Sequence, residues 1–478
     1  MWAPRPSRLG TVRIERAGGL SSAPVFTTIQ AAVDAAQEGD TLLLSDGLFV
    51  GPGNRDIVIA DKDLVIRSVN GRESTVLDCQ NLGRGFLFEG PLVTQRARLE
   101  GIWIRNGSTP LTQGAGVRVR SEAQPTILAC AFESCFRQGL RYSGSSTGPP
   151  GLVADCLFLN NSNDGDGGGF WGGNVRVERC VFLGNTAGTG GGAVRMTESV
   201  RDSLFVGNQA TNLVAGGGAI FFFQGTIENC TFVGNHSNQT GGALATFTTG
   251  RVLNSIFWGN TAVFGGQQVF QGGFGTTMVE YRNCDIEGLL DGFSISSNIF
   301  NEPSLVDCFD ADPLFVDEVG GDYRLLSGSP CVDAGDTTTV VAGSRGDMER
   351  EPRLAGLQVD VGSDELWSSL VLTLVDPGFA GQRNSVALRN AEPDGLAALF
   401  WGTVRGPYPI PLAACPELLL GIADPAVLTL FAVSDAGQGS FERWVPPFLS
   451  GSSVLLQALV FSSSTGCAES NVIEHTYP

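Results

Sequence analysis

The sequence is short of the residues that carry most acid-base and nucleic-acid chemistry. Among 478 residues there are only two histidines, His236 and His475, and a single lysine, Lys62. No Ser/His/Asp arrangement can be built around either histidine, so we expect both to be surface residues and assign no catalytic residue. The formal net charge is −19. Because nucleic acids and anionic membranes need a basic footprint, we expect neither as a partner.

Long apolar runs are also missing. No stretch approaches the roughly 20 residues of a membrane span, so we expect none. The basic residues at the start are not followed by a hydrophobic region, and no signal peptide is visible. Since the chain begins almost at the edge of its first domain, we expect that a leader has been lost.

With 42% hydrophobic residues and 65 glycines, the composition indicates a folded, turn-rich all-β protein.

The chain is organised around a repeat between residues 190 and 260. Three times, a Gly-Gly-Ala cluster and an apolar residue lead to the motif Phe-x-Gly-Asn. The aromatic position recurs every 23 to 29 residues, at Phe132, Phe158, Phe182, Phe205, Phe232 and Phe257, and Ile286 takes the next place. The asparagines of the motif are Asn185, Asn208, Asn235 and Asn260. We predict that each set stacks as a structural ladder, the phenylalanines in the core and the amides hydrogen-bonded along the axis at a corner that tolerates left-handed backbone.

Two solenoid architectures compete for this period. The segments 177–185 and 227–235 fit the leucine-rich-repeat template, in which the other half of each unit is helical or a 3₁₀ turn. Here that half is Gly-Gly-Ala followed by β-branched and aromatic residues, as in Ala219, Ile220 and Phe221. Such residues favour strands over helices. We therefore predict a parallel β-helix, with about eleven or twelve coils, over the horseshoe.

A short amphipathic helix is predicted before the first coil. Ile29, Ala32, Val33 and Ala36 fall on one helical face, Thr27 or Thr28 is the N-cap, and Gly39 is the stop. The helix is placed to cover the open end of the solenoid. After residue 366, alternating apolar segments such as 428–433 and 454–461 indicate a small β-sandwich. The predicted divisions are an N-terminal strand and capping helix at 1–40, β-helix coils at 41–310, a final coil and C-terminal cap at 311–366, and a β-sandwich at 367–478.

The cysteines form a column of their own. Five of the eleven, Cys130, Cys156, Cys180, Cys230 and Cys284, occupy one position of the repeat, where Ser203 and Ser255 replace them. Neighbours in such a column could reach disulfide distance, although we favour small buried side chains that fill an inward column. Away from it, Cys308 with Cys331 and Cys415 with Cys467 are the better disulfide candidates.

These motifs resemble known families. The paired Gly-Gly-Ala and Phe-x-x-Asn signatures look like the polymorphic outer-membrane protein repeat of bacterial surface proteins. The opening 28–32 with 39–41 is similar to the start of many pectin-lyase-like β-helix proteins, and the stretch from Asp312 to Asp336 resembles the closing motif of that group. The resemblance covers roughly residues 10 to 365. It implies a right-handed parallel β-helix in a secreted or cell-surface setting, within a group that mixes enzymes and adhesins.

Two polar features are candidate sites. The position before the cysteine column carries Asp155, Arg179, Asp202, Asn229, Asn254 and Asn283, with Glu178, Arg195, Arg201 and Glu228 nearby. We interpret this set as a solvated face, with a catalytic cluster as the alternative. In the loop 163–169, Asp164 and Asp166 lie two residues apart among glycines, which suits Ca²⁺, although a solvated turn explains the same pattern. No other cofactor is expected.

The function expected from these features is non-enzymatic. A complete structural repeat without an assignable catalytic set favours an extracellular or cell-surface β-helix protein with a binding, adhesion or structural role, monomeric and directed towards glycans or other surface molecules. The alternative is a polysaccharide lyase or glycoside hydrolase of the pectin-lyase-like fold. The Gly-His-Gly and Arg-x-Lys motifs of a polygalacturonase-like site are absent from the sequence.

Overall fold

The computed structural model of the chain is almost entirely β. It describes residue 4 and residues 6–16, 25–110, 112–144, 148–195, 197–213, 216–221, 225–273, 279–296, 303–339, 346–354, 358–366, 371–373, 375, 383–389, 391, 396–409, 419–434, 438–445, 450–462 and 466–477. The chain divides into two compact units: the first comprises 1–313, 334–336 and 361–363, and the second comprises 314–333, 337–360 and 364–478. The finer boundaries given by the sequence stay predictions.

The first unit is a parallel β-solenoid built from three long sheets and one short one. Sheet 1 has twelve strands, Val12–Glu15, Thr41–Leu44, Val65–Ser68, Arg98–Glu100, Thr126–Leu128, Gly151–Ala154, Val175–Glu178, Ser199–Arg201, Gly225–Glu228, Gly250–Leu253, Val279–Arg282 and Ser304–Val306. Sheet 2 has ten, Ile57–Ala60, Phe86–Glu89, Val117–Arg120, Leu140–Tyr142, Phe170–Gly172, Val194–Arg195, Ile220–Phe221, Leu244–Thr246, Val269–Gln271 and Phe293–Ile295. Sheet 3 has ten, Gly47–Phe49, Thr75–Asp78, Trp103–Arg105, Ala131–Glu133, Leu157–Leu159, Val181–Leu183, Leu204–Val206, Thr231–Val233, Ile256–Trp258 and Asp285–Ile286. The short sheet has five, Ser162–Asn163, Thr186–Ala187, Gln209–Ala210, His236–Ser237 and Thr261–Ala262.

The solenoid makes about nine turns, fewer than the eleven or twelve coils predicted. The reason is the length of the early coils. Ile66 lies opposite Leu99 and Leu99 opposite Ile127 in sheet 1, whereas Val177 lies opposite Val200. The early coils therefore hold longer turns than the regular ones. The leucine-rich-repeat interpretation is wrong, because every regular coil adds a strand to sheets 1, 2 and 3 where a horseshoe would have a helix.

A seven-residue α-helix, Ile29–Ala35, precedes the first coil as predicted. Thr28 is its N-cap and accepts a hydrogen bond from the Ala31 N–H. Ile29, Ala32 and Val33 are buried in the same hydrophobic core as the coils. The helix ends at Ala35, before the predicted stop at Gly39, and Lys62 Nζ donates to the carbonyl oxygens of Val33 and Ala36 at 2.7 and 2.9 Å. The single lysine of the sequence thus caps this helix.

The predicted phenylalanine ladder is confirmed. The rings of Phe132, Phe158, Phe182, Phe205, Phe232 and Phe257 are fully buried. Successive centroids are 4.6 to 4.8 Å apart and the ring planes differ by 1° to 14°. The spacing follows from the distance between stacked strands, about 4.8 Å, and offset stacking at that distance is favourable. Ile286 continues the column beyond Phe257.

The asparagine ladder is also confirmed, and it begins one coil earlier than predicted, at Asn161. Each buried amide donates from Nδ2 to Oδ1 of the asparagine in the next coil, at 2.9 to 3.0 Å, from Asn161 through Asn185, Asn208, Asn235 and Asn260. Each also donates to a phenylalanine carbonyl in the preceding coil. The last member, Asn260, donates to Gln268, which in turn donates to Glu287.

The left-handed corner lies beside this ladder and is occupied by glycine. Gly184, Gly207, Gly234 and Gly259 precede the ladder asparagines with φ of 60° to 61°, so it is these glycines that adopt the backbone conformation predicted for the asparagines.

The Gly-Gly-Ala cluster serves a different purpose. A Cβ on Gly218 would lie 2.1 Å from the Gly242 carbonyl oxygen of the next coil, so only glycine permits the coils to approach there.

The cysteine column is inward and buried, as the favoured interpretation holds. Cys130, Cys156, Cys180, Cys230 and Cys284 are at most 1% exposed, and their thiols donate to carbonyl oxygens of the preceding coil. Cys308 is a free thiol, so the predicted disulfide with Cys331 is wrong. Its neighbour in the column is Cys284 instead, because the two occupy the same position of successive coils. Cys415 and the side chain of Cys467 lie outside the described residues.

The second unit contains small antiparallel sheets. One pairs Val371–Leu372, Arg383–Arg389 and Gly439–Trp444, and another pairs Ala426–Ala432, Leu396–Gly402, Ser453–Ser462, Gly466–Glu469 and Ile473–Thr476. Arg405–Pro409 pairs with Leu419–Ile422, Phe315–Asp317 with Asp322–Leu325, and 3₁₀ turns occupy Leu289–Gly292 of the first unit and Thr337–Thr339 of the second. The two larger sheets share one hydrophobic core, as the predicted β-sandwich requires. Within the described ranges, no helix has both the length and the apolar character to cross a membrane.

Candidate functional site

The polar position before the cysteine column is a turn between sheets 1 and 3. Asp155, Arg179, Asp202, Asn229, Asn254 and Asn283 all have positive φ, between 46° and 59°. Ala129 and Asp307 occupy the same corner at 50° and 52°. Asparagine and aspartate tolerate this conformation better than other residues with a Cβ. Backbone geometry therefore accounts for most of this column.

The side chains of this turn are engaged with one another. Arg179 donates to Asp155 at 2.7 and 3.2 Å, and Asn229 donates to Asp202 at 3.0 Å. Burial opposes the charge of Arg179, but Asp155 outweighs it and holds the pKa of the guanidinium above its ordinary value. Arg201 likewise pairs with Glu228 at 3.1 Å. The arrangement is a second structural ladder. Its members Arg179, Asp202, Asn229 and Asn254 are at most 5% exposed, so the interpretation of this set as a solvated face is wrong.

The two carboxylates of the predicted cation loop face arginines. Asp166 pairs with Arg195 at 2.7 Å and accepts a hydrogen bond from the Thr189 hydroxyl. Asp164, which is 67% exposed, lies 3.5 Å from Arg137. Within the part of the chain that the structure describes, no three His, Cys, Asp or Glu side chains converge as metal ligands. A cation here would compete with two guanidinium groups.

Both histidines are surface residues in local contacts. The ring nitrogens of His236 contact Thr261 Oγ1 and Asn238 Oδ1 at 2.8 and 3.0 Å. The ring of His475 lies edge-on against Tyr477, with centroids 4.6 Å apart. The contacts of His236 include a hydroxyl and an amide but no carboxylate that would orient its ring as a general base.

The outward face of sheet 2 carries a different kind of column. In register from coil to coil lie Arg118, Arg141, Trp171, Arg195 and Phe221, which we call the arginine–aromatic column. The Arg141 guanidinium lies over the Trp171 ring at 4.0 Å from its centroid, and that of Arg195 lies 5.4 Å from the Phe221 centroid. These are cation–π distances. Two adjacent arginines are thus followed along the face by an aromatic residue, a third arginine and a second aromatic residue.

The charges of this column are only partly balanced. Arg195 is paired with Asp166, but Arg118 and Arg141 form no ion pair with any residue in the described ranges. Glu89, the carboxylate nearest to Arg118, is bound by Arg120 at 2.6 Å. Partial burial, and then repulsion from Arg118 and Arg195, lower the pKa of Arg141 to about 10. At neutral pH the face therefore holds adjacent, charged and partly desolvated guanidinium groups in an acidic protein.

Aromatic residues continue beyond the column. Phe247, which is 40% exposed, meets Phe221 and Phe270 edge to face at centroid distances of 5.9 and 5.7 Å. Phe270 occupies the outward position of its strand, two coils after Phe221. The outward face of sheet 2 therefore changes from guanidinium groups to rings along the axis. Such a strip offers hydrogen-bond donors at one end and stacking surfaces at the other.

The second unit buries a group of carboxyl groups. Asp347, Glu351, Asp360, Asp364 and Glu365, here the acidic cluster, are each no more than 6% exposed. Burial and the neighbouring Asp364 raise the pKa of Glu351 to about 8, and burial raises those of Asp347 and Asp364 well above the ordinary value.

Backbone amides bind the acidic cluster. Asp347 accepts from the N–H groups of Glu349, Glu351 and Glu365 at 2.8 to 3.1 Å. Arg353 lies 3.8 Å from Glu365. Because all five carboxyl groups are buried and those of Asp347, Asp360 and Glu365 accept hydrogen bonds from the chain's own amides, the cluster organises this segment and does not form an open site.

A cavity of about 340 Å³ lies within the sandwich of the second unit. Its walls are mostly apolar and come from both sheets, including Leu399, Phe441 and Leu456, while Arg443 and Asn384 add polar groups. The volume is at the lower end of the range for small-molecule pockets. Ser385 and Tyr477 add hydroxyl groups, and no carboxylate or histidine is present among the described residues that line it.

Sequence reasoning named Arg195 but missed the column to which it belongs. The missing step was register: these residues come from coils of different length, so their alignment is not visible at a fixed spacing. A usable signal existed, because Trp171, Arg195 and Phe221 each follow the buried apolar residue of the glycine-rich half-repeat.

The sequence matches no protein-family model. It is not significantly similar to any curated protein. The parallel β-helix is therefore shown by the structure, whereas the likeness to pectin-lyase-like proteins and to polymorphic outer-membrane repeats rests on the motifs alone.

Proposed function

We propose that this chain is an extracellular or cell-surface β-helix protein that binds extended acidic glycans along the arginine–aromatic column without cleaving them. The observation that carries the proposal is the outward row of guanidinium groups without carboxylate partners at Arg118 and Arg141, interleaved with Trp171. Inward ladders explain the other repeated residues, but no fold requirement explains this row.

The chemistry of the column suits a polymer with periodic anionic groups. Coils repeat about every 4.8 Å, so the donors and rings lie along a line and not in a closed pocket. Guanidinium groups bind carboxylates and sulfates through paired, charge-assisted hydrogen bonds. Aromatic faces such as Trp171 supply stacking area for a sugar ring. An anion would also relieve the repulsion among Arg118, Arg141 and Arg195.

Binding to a panel of acidic and neutral polysaccharides tests the proposal. Arg141→Gln and Trp171→Ala should each weaken binding of an acidic polysaccharide about tenfold, since a hydrogen bond to a charged group contributes about 1.5–3 kcal/mol. The matched control is Arg176→Gln, an exposed arginine that faces outward on sheet 1. Equal affinity of all three variants and the unaltered protein would contradict the proposal.

The alternative, a polysaccharide lyase or glycoside hydrolase, requires carboxylates and an arginine in an open groove. Among the described residues, the carboxyl groups with raised pKa values are those of the acidic cluster, which are enclosed. Incubation of the protein with the same polysaccharides separates the two functions. New reducing ends or unsaturated products would establish the enzyme, and intact polymer with retained binding would support the binding protein.

Calcium at Asp164 and Asp166 is a separate proposal. It is supported by two carboxylates on one glycine-rich turn, and it requires Arg195 and Arg137 to release them. Calorimetric titration with Ca²⁺ tests it. Heat of binding that disappears in Asp166→Asn would support the site, whereas no heat and no change in melting temperature would remove it.

A further inference from the structure

The cysteine column continues past Cys284 into the last coil. Arg282 lies opposite Val306 in sheet 1, and Asp285 lies opposite Phe309. Cys284 and Cys308 therefore occupy the same inward position of successive coils. Their thiols are close enough to shift each other's pKa, and both are unoxidised in the structure.

The geometry of stacked strands suits a bond between these two sulfurs. In-register residues of adjacent strands are separated by about 4.8 Å between backbones, within the roughly 4.4–6.8 Å between Cα atoms that a disulfide spans. A cross-link would thus join two residues that the backbone already holds side by side. The register of the coils would not change.

The two thiols differ in exposure. Cys284 is fully buried, whereas Cys308 is only half-buried at the edge of the core. The neighbouring Cys284 thiol outweighs partial burial and lowers the pKa of the Cys308 thiol. Burial raises the pKa of Cys284 well above its ordinary value. Cys308 is therefore the accessible nucleophile and Cys284 the partner that resolves its reaction.

An otherwise similar pair lies deeper in the same column. Cys156 and Cys180 are also neighbours in successive coils, but both are at most 1% exposed. Burial, followed by the neighbouring Cys180, raises the pKa of Cys156 well above its ordinary value. The Cys156–Cys180 pair is stacked in the same way but is closed to solvent. It therefore serves as an internal control for the reactivity of Cys284 and Cys308.

We propose that Cys284 and Cys308 are a redox-active dithiol that forms a disulfide between the last two coils of the solenoid. With a low-molecular-weight disulfide as oxidant, the Cys308 thiolate attacks one of its sulfurs and releases one thiol. Cys284 then loses its proton and attacks the Cys308 sulfur of the mixed disulfide, which releases the second thiol. Two protein thiols are oxidised and one small disulfide is reduced to two thiols. The proposal does not depend on glycan binding.

We expect the disulfide to hold the last coil of the solenoid against the coil before it. Each coil contacts only its neighbours, and the terminal coil has a neighbour on one side within the solenoid. A cross-link at this position therefore restrains the coil that opens most readily. We expect slower hydrogen exchange in 304–309 and a melting temperature raised by a few degrees in the oxidised protein.

Oxidation of the full chain with glutathione disulfide tests the proposal. The reduced protein is incubated under native conditions, its remaining thiols are alkylated, and peptides are identified by mass spectrometry. Most molecules should contain a Cys284–Cys308 cross-link, while Cys156 and Cys180 stay reduced and react only after denaturation. The proposal is overturned if Cys308 stays reduced, if it stops at the mixed disulfide, or if Cys156 and Cys180 cross-link at the same rate.

The variant Cys284→Ser provides the second arm. Serine already occupies this column at Ser203 and Ser255, where it donates to a carbonyl oxygen two residues before it, so the variant should fold. Without a resolving thiol, Cys308 should accumulate as the mixed disulfide with glutathione, and the slower exchange of 304–309 on oxidation should disappear. Oxidation that protects this segment equally in the variant would contradict a Cys284–Cys308 bond.

Discussion

The inward ladders and the arginine–aromatic column lie on successive coils of one solenoid and follow opposite rules. Along the ladders one residue type recurs, and each member satisfies the next, as the amides of Asn208 and Asn235 do. Along the column the residue type changes from coil to coil, and the charges of Arg118 and Arg141 are left unbalanced. Residues that stabilise a repeat are repeated with it. Residues that break the repeat on an outward face are the ones that need another explanation.

The largest effect should come from interrupting the phenylalanine ladder. Phe205→Ala removes a fully buried ring stacked on both sides and should lower the free energy of unfolding by about 3–5 kcal/mol. Urea denaturation measures it. Phe264→Ala, at a ring that is 60% exposed, is the control and should change stability by less than about 1 kcal/mol. Equal losses of unfolding free energy in the two variants would mean that the stacked, buried rings do not stabilise the fold more than an exposed ring does.

Interrupting the asparagine ladder should cost somewhat less. Asn235→Ala leaves the N–H groups of Asn208 and the carbonyl oxygen of Phe205 without their partner. Each unsatisfied buried group costs about 1–3 kcal/mol, so we expect a loss of about 3 kcal/mol. Asn238→Ala, at a half-exposed amide bonded to Thr211, is the control. A loss no larger than the control's would show that water can enter the corner and replace the amide.

The acidic cluster is inward and buried like the ladders, but its members are ionisable. The stability of the second unit should therefore depend on pH. The pKa of Glu351 is about 8 in the folded chain, above its ordinary value of 4.5, chiefly because burial disfavours the charged form and, next, because Asp364 repels it. A carboxyl group with a raised pKa stabilises the fold below its ordinary value, and that contribution is lost as pH rises through the folded value.

Raising the pH from about 5 towards 8 should therefore destabilise the second unit by about 1.4 kcal/mol for each pH unit. Hydrogen exchange of the amides of residues 347–365 as a function of pH, corrected for intrinsic rates, measures the change. Glu351→Gln should flatten the profile, whereas Glu318→Gln, at an exposed position, should leave it unchanged. A flat profile in the unaltered protein would contradict the assignment.

The smallest effect on stability should come from the arginine–aromatic column. Arg141→Gln removes a cation–π contact with Trp171, worth about 0.5–1 kcal/mol at such a site, but it also relieves repulsion from Arg118 and Arg195. We expect the free energy of unfolding to stay within about 0.5 kcal/mol of the unaltered protein. A loss as large as that of Asn235→Ala would make this column structural and weaken its assignment to binding.

The inside of this molecule could be predicted from the sequence because it repeats. Phe205, Asn208 and the helix that begins at Ile29 follow from period, residue type and capping chemistry, and all three were confirmed. The number of coils was wrong because coil length is set by surface turns, which carry no periodic signal. The left-handed turn before the cysteine column was missed because Asp155, Arg179 and Asn229 share a backbone conformation and not a side-chain chemistry.

The outside could not be predicted in the same way. The alignment of Arg141 with Trp171 depends on how many residues each turn contains, and the sequence does not reveal which turns are long. Likewise, Asp166 forms an ion pair with Arg195 of the next coil. The sequence of the loop shows the carboxylates that suit a cation but not the arginine that already pairs with one of them. Contacts between coils decide the site, whereas patterns within a coil decide the fold.

The asparagine ladder also has a direction. Every Nδ2 group points the same way, from Asn161 towards Asn260, and the row then passes through Gln268 to the carboxylate of Glu287. A row of aligned amide dipoles accumulates partial positive charge at its donor end, and a carboxylate there is the complementary terminus. Each coil therefore has a donor side and an acceptor side along the axis of the solenoid. Removing one whole coil in register preserves the row of hydrogen bonds, whereas a coil in the reverse orientation would place two amide donors opposite each other.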